Sequence, residues 1–411
     1  MKRWTHIIFA LLLVACTKDD VPVSFPSPIE FGVGDGSTKG QAPITTLAEL
    51  ARRDFSVSAW HSPKGETFGV ASSRYFENHR FGYITDDPDH DAFDGGWRGV
   101  VAHAATTGAA TADPVYYPLD GTLSYFCYAP YRSDAAMYPA PDPETRDLVL
   151  TAPVSDDAVR SRLPGYLPGS PLLRYTPAAA VADQVDLLVA PPLLDRRRDD
   201  DGGRIPLDFG RHRLTQVKFA FNYSGELRHP EFICVTGIEV RQVASSAYLY
   251  FTETGAHVTD CRWCTELSLD DPVTEAPLPL ASYHLEEADG ALLTGVGAEV
   301  PARNADNDNH LPVCTDAGVL YLLPQTLPDD AMLLVSYVIC EQHGVPLSAE
   351  VVSASLKTAS TPAWPAGKQV RYLLTLNVPN HQVSGISARI YDWEDAGNTH
   401  TPEQLLPHIT P

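Results

Sequence analysis

The amino-acid sequence is built from short stretches in which apolar and polar residues alternate, and a proline or glycine ends most of them. The chain has 35 Pro and 28 Gly in 411 residues, and neither residue is well tolerated inside a helix. Alternation predicts strands at Ile29–Val33, Phe55–Trp60, Leu123–Tyr128, Val185–Ala190, Val217–Phe221, Phe232–Val240, Ala247–Thr252, Gly318–Leu323, Met332–Cys340 and Tyr372–Val378. Strands of this length between turns, with scarcely a helical stretch, predict an all-β protein made of antiparallel sandwiches.

The length of the chain predicts two domains, because 411 residues exceed what one ordinary hydrophobic core holds. A charge run from Arg196 to Asp201, followed by Gly202 and Gly203, predicts an exposed linker over residues 196–204. We therefore expect an N-terminal β-sandwich over residues 54–195 and a C-terminal one over residues 205–395. A tail, residues 396–411, follows them.

The charge of the chain limits its partners. A formal net charge of −22 excludes nucleic acid as an expected partner, because that binding depends on basic residues that neutralise phosphates. It also argues against binding flat on anionic lipid. A soluble body that a separate anchor holds near a membrane fits this charge.

The N-terminus predicts that anchor. Lys2 and Arg3 precede an apolar stretch, Ile7–Val14, that is too short to span a bilayer. Leu13-Val14-Ala15-Cys16 then matches the bacterial lipobox, which makes residues 1–16 a signal peptide and Cys16 the site of lipid attachment. Acyl chains on Cys16 would anchor the protein in a membrane. Thr17-Lys18-Asp19-Asp20, directly after it, resembles the Lys-plus-acidic signal that carries bacterial lipoproteins to the outer face of the outer membrane, so we expect a surface-exposed lipoprotein of the outer membrane.

Segments along nearly the whole chain together resemble one protein family. They are the lipobox, Ile29-Glu30-Phe31, Ser37-Thr38-Lys39-Gly40, Phe55–Ala59, Leu123–Pro130, Asp186–Ala190, His212–Phe219, Leu320–Gln325 and Ile390–Trp393. In order and spacing these segments are similar to the fimbrillins, the type V pilin subunits of Bacteroidetes, especially the minor fimbrium subunits. One departure is Phe209-Gly210-Arg211-His212, which has an extra residue where the family has Phe-x-His.

The resemblance implies two tandem transthyretin-like β-sandwich domains and assembly by donor-strand exchange. Such a subunit is exported as a lipoprotein and cut by a trypsin-like, often Arg-specific, envelope protease. Cutting releases the first strand, and a strand from a neighbouring subunit fills the groove. The physics agrees, because a sandwich that lacks a strand has unpaired backbone groups and an exposed apolar slot until another strand is added.

Specific residues take the roles that this process needs. Residues 17–53 are the expected tether and removable segment, in which Ile29, Phe31 and Val33 point into the first core. Thr46-Leu47-Ala48-Glu49 has capping-box spacing and predicts a short helix to Arg52. Arg53 and Arg52, at its end, are the preferred cleavage candidates, and Lys39 in a flexible loop is the third.

The other cysteines and the oxygen-rich loops favour structural roles. Cys261-Arg262-Trp263-Cys264 is a C-x-x-C with no second ligand pair at zinc spacing, so structural thiols or one local disulfide are favoured over redox catalysis. Cys127 and Cys234 lie in apolar strands as small hydrophobic residues. The oxygen-rich loops 86–91 and 304–310 lack an EF-hand pattern and are interpreted as solvated turns. No enzyme motif appears, and we expect no cofactor or metal.

The sequence therefore predicts a fimbrial structural subunit that mediates adhesion. Its partners are other fimbrial subunits, the protease, the membrane before cleavage, and a host or bacterial surface ligand. The donor strand in this family generally comes from the C-terminal region, but Pro402, Pro407 and Pro411 make this tail a poor strand. An accessory or tip position follows. The alternative is a monomeric surface lipoprotein of the same fold that binds a host or bacterial ligand.

Overall fold

The structure is a computed structural model that describes residues 28–33, 54–84, 96–103, 110–131, 148–150, 153, 157–200, 204–254, 258–285, 299–304, 309–312, 319–341 and 345–392. Cys16, Lys39, Arg52, Arg53, the helix predicted at 46–52 and the C-terminal tail lie outside these residues. Within them no helix is long and apolar enough to cross a membrane.

Most of the described residues are in strands, which confirms the all-β prediction. The strands are β1 (Glu30–Val33), β2 (Phe55–Ser62), β3 (Ser73–Ile84), β4 (Gly96–His103), β5 (Ala110–Ala112), β6 (Thr122–Ala129), β7 (Leu148–Leu150), β8 (Leu172–Tyr175), β9 (Leu188–Val189), β10 (Leu193–Arg196), β11 (Arg204–Leu207), β12 (Thr215–Ser224), β13 (Phe232–Ala244), β14 (Ala247–Thr254), β15 (Val258–Trp263), β16 (Leu280–Leu285), β17 (Leu311–Pro312), β18 (Leu320–Leu322), β19 (Gln325–Thr326), β20 (Met332–Cys340), β21 (Pro346–Ser355), β22 (Ala363–Trp364), β23 (Lys368–Asn377) and β24 (Gln382–Asp392). Helical structure among these residues is short, with α1 (Asp157–Ser161) and 3-10 turns at Val181–Asp183 and Cys264–Glu266.

The first sheet is nine-stranded and curls over on itself. Its order is β10-β6-β2-β3-β4-β1-β11, with β5 paired to β4 and β9 to β6. In a flat sheet β1 and β6, four places apart, would lie about 19 Å from each other. Instead the rings of Phe31 in β1 and Tyr125 in β6 have centroids 5.3 Å apart. The curl therefore encloses a core of its own, which includes Phe55, Phe81 and Phe209.

A second core lies on the other face of β2 and β6. Trp60 and Phe126 point away from the first core and pack against a four-stranded sheet in the order β15-β14-β8-β7. The rings of Phe126 and Phe251 lie 4.8 Å apart. Strands from both predicted domains share this sheet, because Tyr175 pairs with Ala247. Alternate residues of β2 and β6 thus fill two cores, which explains why both strands are buried almost throughout.

The C-terminal half forms a sandwich of two sheets. A five-stranded sheet contains β17-β12-β23-β24, with β18 also paired to β12, and a four-stranded sheet has the order β16-β13-β20-β21. Phe219, Tyr337, Trp364 and Tyr372 lie in the core between them. β12 and β23 pair in parallel from Gln216–Gln369 to Ser224–Asn377, so the prediction of antiparallel sandwiches is wrong for this pair. The remaining sheet is the pair β19–β22.

Candidate functional site

The candidate site is the position that β1 occupies inside the nine-stranded sheet. β1 pairs in parallel with β11 from Glu30–Arg204 to Val33–Leu207. On its other side it pairs antiparallel with β4, where Phe31 lies opposite Trp97. The amide of Ile29 extends the contact by donating to the carbonyl oxygen of Val115 at 2.8 Å. A four-residue strand therefore joins β4 to the strand at the edge of the sheet.

The inward side chains of β1 and of Ile29, which directly precedes it, fill the first core. Ile29 is 1% exposed and Phe31 is 0% exposed. The Phe31 ring makes edge-to-face contacts with Phe55, Phe81 and Tyr125 at centroid distances of 5.9, 5.0 and 5.3 Å. Aromatic pairs in this geometry stabilise beyond the area that they bury. The burial expected for Ile29 and Phe31 is thus present, while Val33 is described through its backbone pairing with Leu207.

The outward side chain of β1 is held by an arginine on each neighbouring strand. Arg98 of β4 donates from Nε to Glu30 Oε1 at 2.9 Å and also bonds that oxygen through Nη2. Arg204 of β11 donates from Nε to Glu30 Oε2 at 3.4 Å. Arg98 and Glu30 are mostly buried, with side chains 8% and 16% exposed, and Arg204 is 42% exposed. The three residues form one charged row across β4, β1 and β11.

The occupied position has two consequences for the sheet. Without β1, the backbone groups of β4 and β11 that bond to it would have no partner there, and a buried unpaired backbone group is costly. The core would also lack the Phe31 ring. The site therefore requires a strand, and the strand must present an apolar inner side and a complementary outer side.

The predicted cleavage region ends against a fixed residue. Asp54, the first described residue after Arg53, is fully buried and has φ 57°. Arg80 Nε donates to Asp54 Oδ2 at 2.5 Å, and the Tyr131 amide donates to the Asp54 carbonyl oxygen at 3.1 Å. A cut after Arg53 would therefore leave its new terminus at an anchored residue, directly before β2.

Cys261 and Cys264 lie at the end of β15 and at the turn that follows it, and both are free thiols in the structure. Burial raises the pKa of each thiol to about 12. Cys264 Sγ accepts a hydrogen bond from the Tyr248 amide at 3.4 Å. Thiols with such a pKa are protonated near neutral pH and are poor nucleophiles and metal ligands. The arrangement therefore fits the structural-thiol alternative of the sequence analysis. Cys127 and Cys234 are also buried, and neither is in a disulfide.

The arginine run predicted as a linker has strands at both ends. Arg196 ends β10 and Arg204 begins β11, and both strands belong to the nine-stranded sheet. Between them, the Arg197 amide donates to Asp200 Oδ2 at 2.7 Å. A cavity of about 500 Å³ lies beside this turn, and it is lined by residues that include Tyr117, Leu119 and the run Arg196–Arg198.

Sequence reasoning missed two of the residues that hold β1. Arg98 and Arg204 contact Glu30 from positions 68 and 174 residues away in the chain. A local signal existed for β11, since the apolar residues Ile205 and Leu207 alternate with Arg204 and Pro206, and the structure buries the two apolar residues. That alternation predicts a strand, but nothing local identifies β1 as its neighbour.

Comparison with solved structures identifies the fold. A fimbrial protein from Bacteroides vulgatus superposes with a TM-score of 0.52 over 89% of this chain and 99% of that one, at 16% identity. A candidate cell adhesion protein from Bacteroides uniformis gives 0.42 over 89% and 98%, at 12% identity. No protein-family model and no curated protein matches the sequence. The first likeness, with the higher TM-score, shows a shared fold and confirms at that level the resemblance that the sequence segments indicated.

Proposed function

We propose that this chain is a structural subunit of a bacterial surface fimbrium and takes part in adhesion. The observation that carries the proposal is the interior placement of β1. It is a short N-terminal strand between β4 and β11, and it supplies a fully buried aromatic ring to the first core. The shared fold with a fimbrial protein supports the same role. On this proposal the work of the chain is assembly, and it is not an enzyme.

The proposed assembly uses donor-strand exchange at the β1 position. A trypsin-like envelope protease cuts at Arg53, Arg52 or Lys39, all of which follow β1 in the sequence. β1 is then no longer covalently joined to β2 and can leave the sheet. A strand from a neighbouring subunit enters and restores the backbone bonds and the core contacts. Ile29, Phe31 and Val33 belong to the removable strand, and the two halves are proposed as tandem transthyretin-like domains.

The proposed route to the cell surface uses Cys16. Lipidation there would hold the uncut chain on the outer membrane, and cleavage would transfer the body into the fimbrium. Replacing Cys16 by Ala should abolish incorporation of labelled palmitate and keep the precursor from the outer face, because the acyl chains supply the membrane affinity. Palmitate that still enters the variant would contradict the lipobox assignment.

The N-terminus of the native protein tests the proposal directly. Protein sheared from cells is analysed by intact mass and N-terminal sequencing. A fimbrial subunit should start within residues 40–54, whereas a permanently anchored lipoprotein should start at Cys16 with lipid attached. Only lipidated Cys16, in cells that carry the protease, would contradict the fimbrial proposal.

One observation favours the alternative, a monomeric surface lipoprotein that binds a ligand. The cavity beside Arg196–Arg198 combines guanidinium groups with the aromatic ring of Tyr117. Such a set can bind an anionic or carbohydrate ligand from a host or bacterial surface. Loss of cell binding by an Arg197→Gln chain that is still folded and still displayed on the cell surface would assign ligand binding to this cavity.

A further inference from the structure

The charged row across β4, β1 and β11 specifies what can replace β1. Glu30 is the outward residue between two inward ones, Ile29 and Phe31. Its two carboxylate oxygens are divided between neighbours, with Arg98 on Oε1 and Arg204 on Oε2. Both arginines belong to strands that stay in the body when β1 leaves.

An incoming strand places one residue at the position that Glu30 occupies, and this residue lies between Arg98 and Arg204. A carboxylate there restores both charge-assisted bonds, which are stronger than bonds between neutral groups. A neutral residue supplies no negative charge, and even Gln has only one side-chain oxygen, so it can accept a bond from one arginine and not from both. A basic residue places a third positive charge between Arg98 and Arg204, and like charges on adjacent strands are destabilising. Arg98 is only 8% exposed, so solvent screens this repulsion poorly.

The general charge of the protein does not supply this preference. With a net charge of −22, the body as a whole repels acidic peptides. Preference for a carboxylate is therefore confined to the one register position between the arginines. Direction is specified as well, because the occupant runs parallel to β11 and antiparallel to β4.

We propose that Arg98 and Arg204 select the strand that fills the β1 position by requiring an acidic residue between an inward aliphatic residue and an inward aromatic one. This inference rests on the proposed function, since it names the partner strand of strand exchange. The C-terminal tail of this chain does not offer that triplet, because its acidic residue, Glu403, is flanked by Pro402 and Gln404. The donor is therefore a segment of a different kind of subunit and not the tail of a second copy of this chain.

Peptide exchange into the full chain tests the proposal. One specific protease site is introduced between residues 40 and 46, the chain is cut, and labelled peptides of residues 26–35 compete with the released segment. The parent peptide should enter. A Glu30→Gln peptide should bind about ten- to a hundredfold more weakly, and a Glu30→Lys peptide more weakly still. A Glu30→Gln peptide with an added N-terminal Asp matches the parent in charge and should bind no better than Glu30→Gln.

A variant of the body separates selection from general stability. Arg204 is the more exposed of the two arginines, so Arg204→Gln should leave the chain folded while reducing the preference for the parent over the Glu30→Gln peptide. Equal binding of these two peptides to the parent body, or an unchanged preference in Arg204→Gln, would overturn the selection proposal and leave strand exchange intact. Failure of every peptide, including the parent, to enter the cut chain would instead contradict strand exchange itself.

Discussion

Phe31 is the largest side chain that β1 contributes to the first core, and its removal should distinguish the uncut chain from the assembled one. Phe31→Ala should lower the free energy of unfolding of the uncut chain by about 3–5 kcal/mol, because the ring is fully buried among three aromatic neighbours. Denaturant unfolding measures this loss. Leu119→Ala is the control and should change little, since Leu119 is exposed. After cleavage and replacement of β1 the effect of Phe31→Ala should vanish, and an equal loss in both states would show that β1 is not released.

Asn78 forms a buried polar link between β2, β3 and β6. Its Oδ1 accepts hydrogen bonds from Ser56 Oγ and Tyr128 Oη, each at 2.5 Å, and its backbone N–H donates to Ser58 Oγ at 2.8 Å. Asn78 also has φ 48°, a region that Asn tolerates better than most residues. Asn78→Ala should destabilise by about 2–4 kcal/mol, because it leaves two buried hydroxyls without their acceptor and strains the backbone.

The matched variant for this link is Asn78→Gly. Glycine lacks the side-chain amide but adopts a positive φ without strain. It should recover part of the stability that Asn78→Ala loses in denaturant unfolding. Equal losses in the two variants would show that the hydrogen bonds, and not the backbone conformation, account for the whole effect.

The buried thiols predict a loss of stability at alkaline pH. Burial raises the pKa of Cys261 and Cys264 to about 12, from an ordinary value of 9.0. Above pH 9 the unfolded chain loses these protons while the folded chain keeps them, so the free energy of unfolding falls as pH rises towards 12. Between pH 8 and pH 10 each thiol should remove about 1 kcal/mol. Urea unfolding of Cys261→Ala/Cys264→Ala should show a smaller fall over that interval, and an unchanged fall would assign the alkaline effect to other groups.

At the level of elements, local alternation predicted strands well and their partners poorly. The local sequence pattern predicts strands at Phe55–Trp60 and Met332–Cys340, and both are strands in the structure. The parallel pairing of β1 with β11 could not be predicted in this way, since it joins residues near 30 to residues near 205. The sharing of one sheet by β8 and β14 has the same cause. The two-residue repeat of a strand specifies which face of the sheet a side chain occupies, whereas long-range strand pairing depends on the packing of whole sheets.

The maturation prediction concerns the sequence directly before β2. Arg52→Ala/Arg53→Ala should stop or slow processing of the precursor by an Arg-specific protease, because both preferred cleavage candidates are removed. Immunoblotting and N-terminal sequencing of the product measure this. Lys39→Ala is the control and should be cut normally. Normal processing of the double variant at the usual site would move the cut elsewhere.

The anchoring of Asp54 adds a second readout to that experiment. Its buried carboxylate is held by Arg80, so the chain directly after Arg53 is fixed while a protease needs an extended segment. Asp54→Asn weakens this anchor and should speed cutting after Arg53, with little effect on a cut after Lys39, which lies well before it in the sequence. The two sites are thereby distinguished by rate as well as by position.

At the level of the whole molecule, the acceptor side and the donor side of the proposed exchange differ. The acceptor is well formed, since β4 and β11 flank β1, the Phe31 ring fills the core between them, and Glu30 is the outward residue beside it. The C-terminal sequence is less suited to donate a strand. Each of Pro402, Pro407 and Pro411 lacks a backbone N–H for a ladder. Its best apolar residues, Leu406 and Ile409, are three positions apart and cannot share one face of a regular strand.

This asymmetry predicts that the subunit does not polymerise by itself. Cleaved protein at high concentration should give no ladder on a denaturing gel run without boiling, because its own tail offers neither a regular apolar face nor a carboxylate in the register of Glu30. Mixed with a subunit whose donor segment carries an aliphatic–acidic–aromatic triplet, it should shift to one discrete, boiling-sensitive band, as expected of an accessory or tip position. Deleting residues 399–411 should leave that band unchanged, since the tail has no part in accepting the donor. Long homopolymers that disappear on the same deletion would instead make this chain a stalk subunit that donates its own C-terminus.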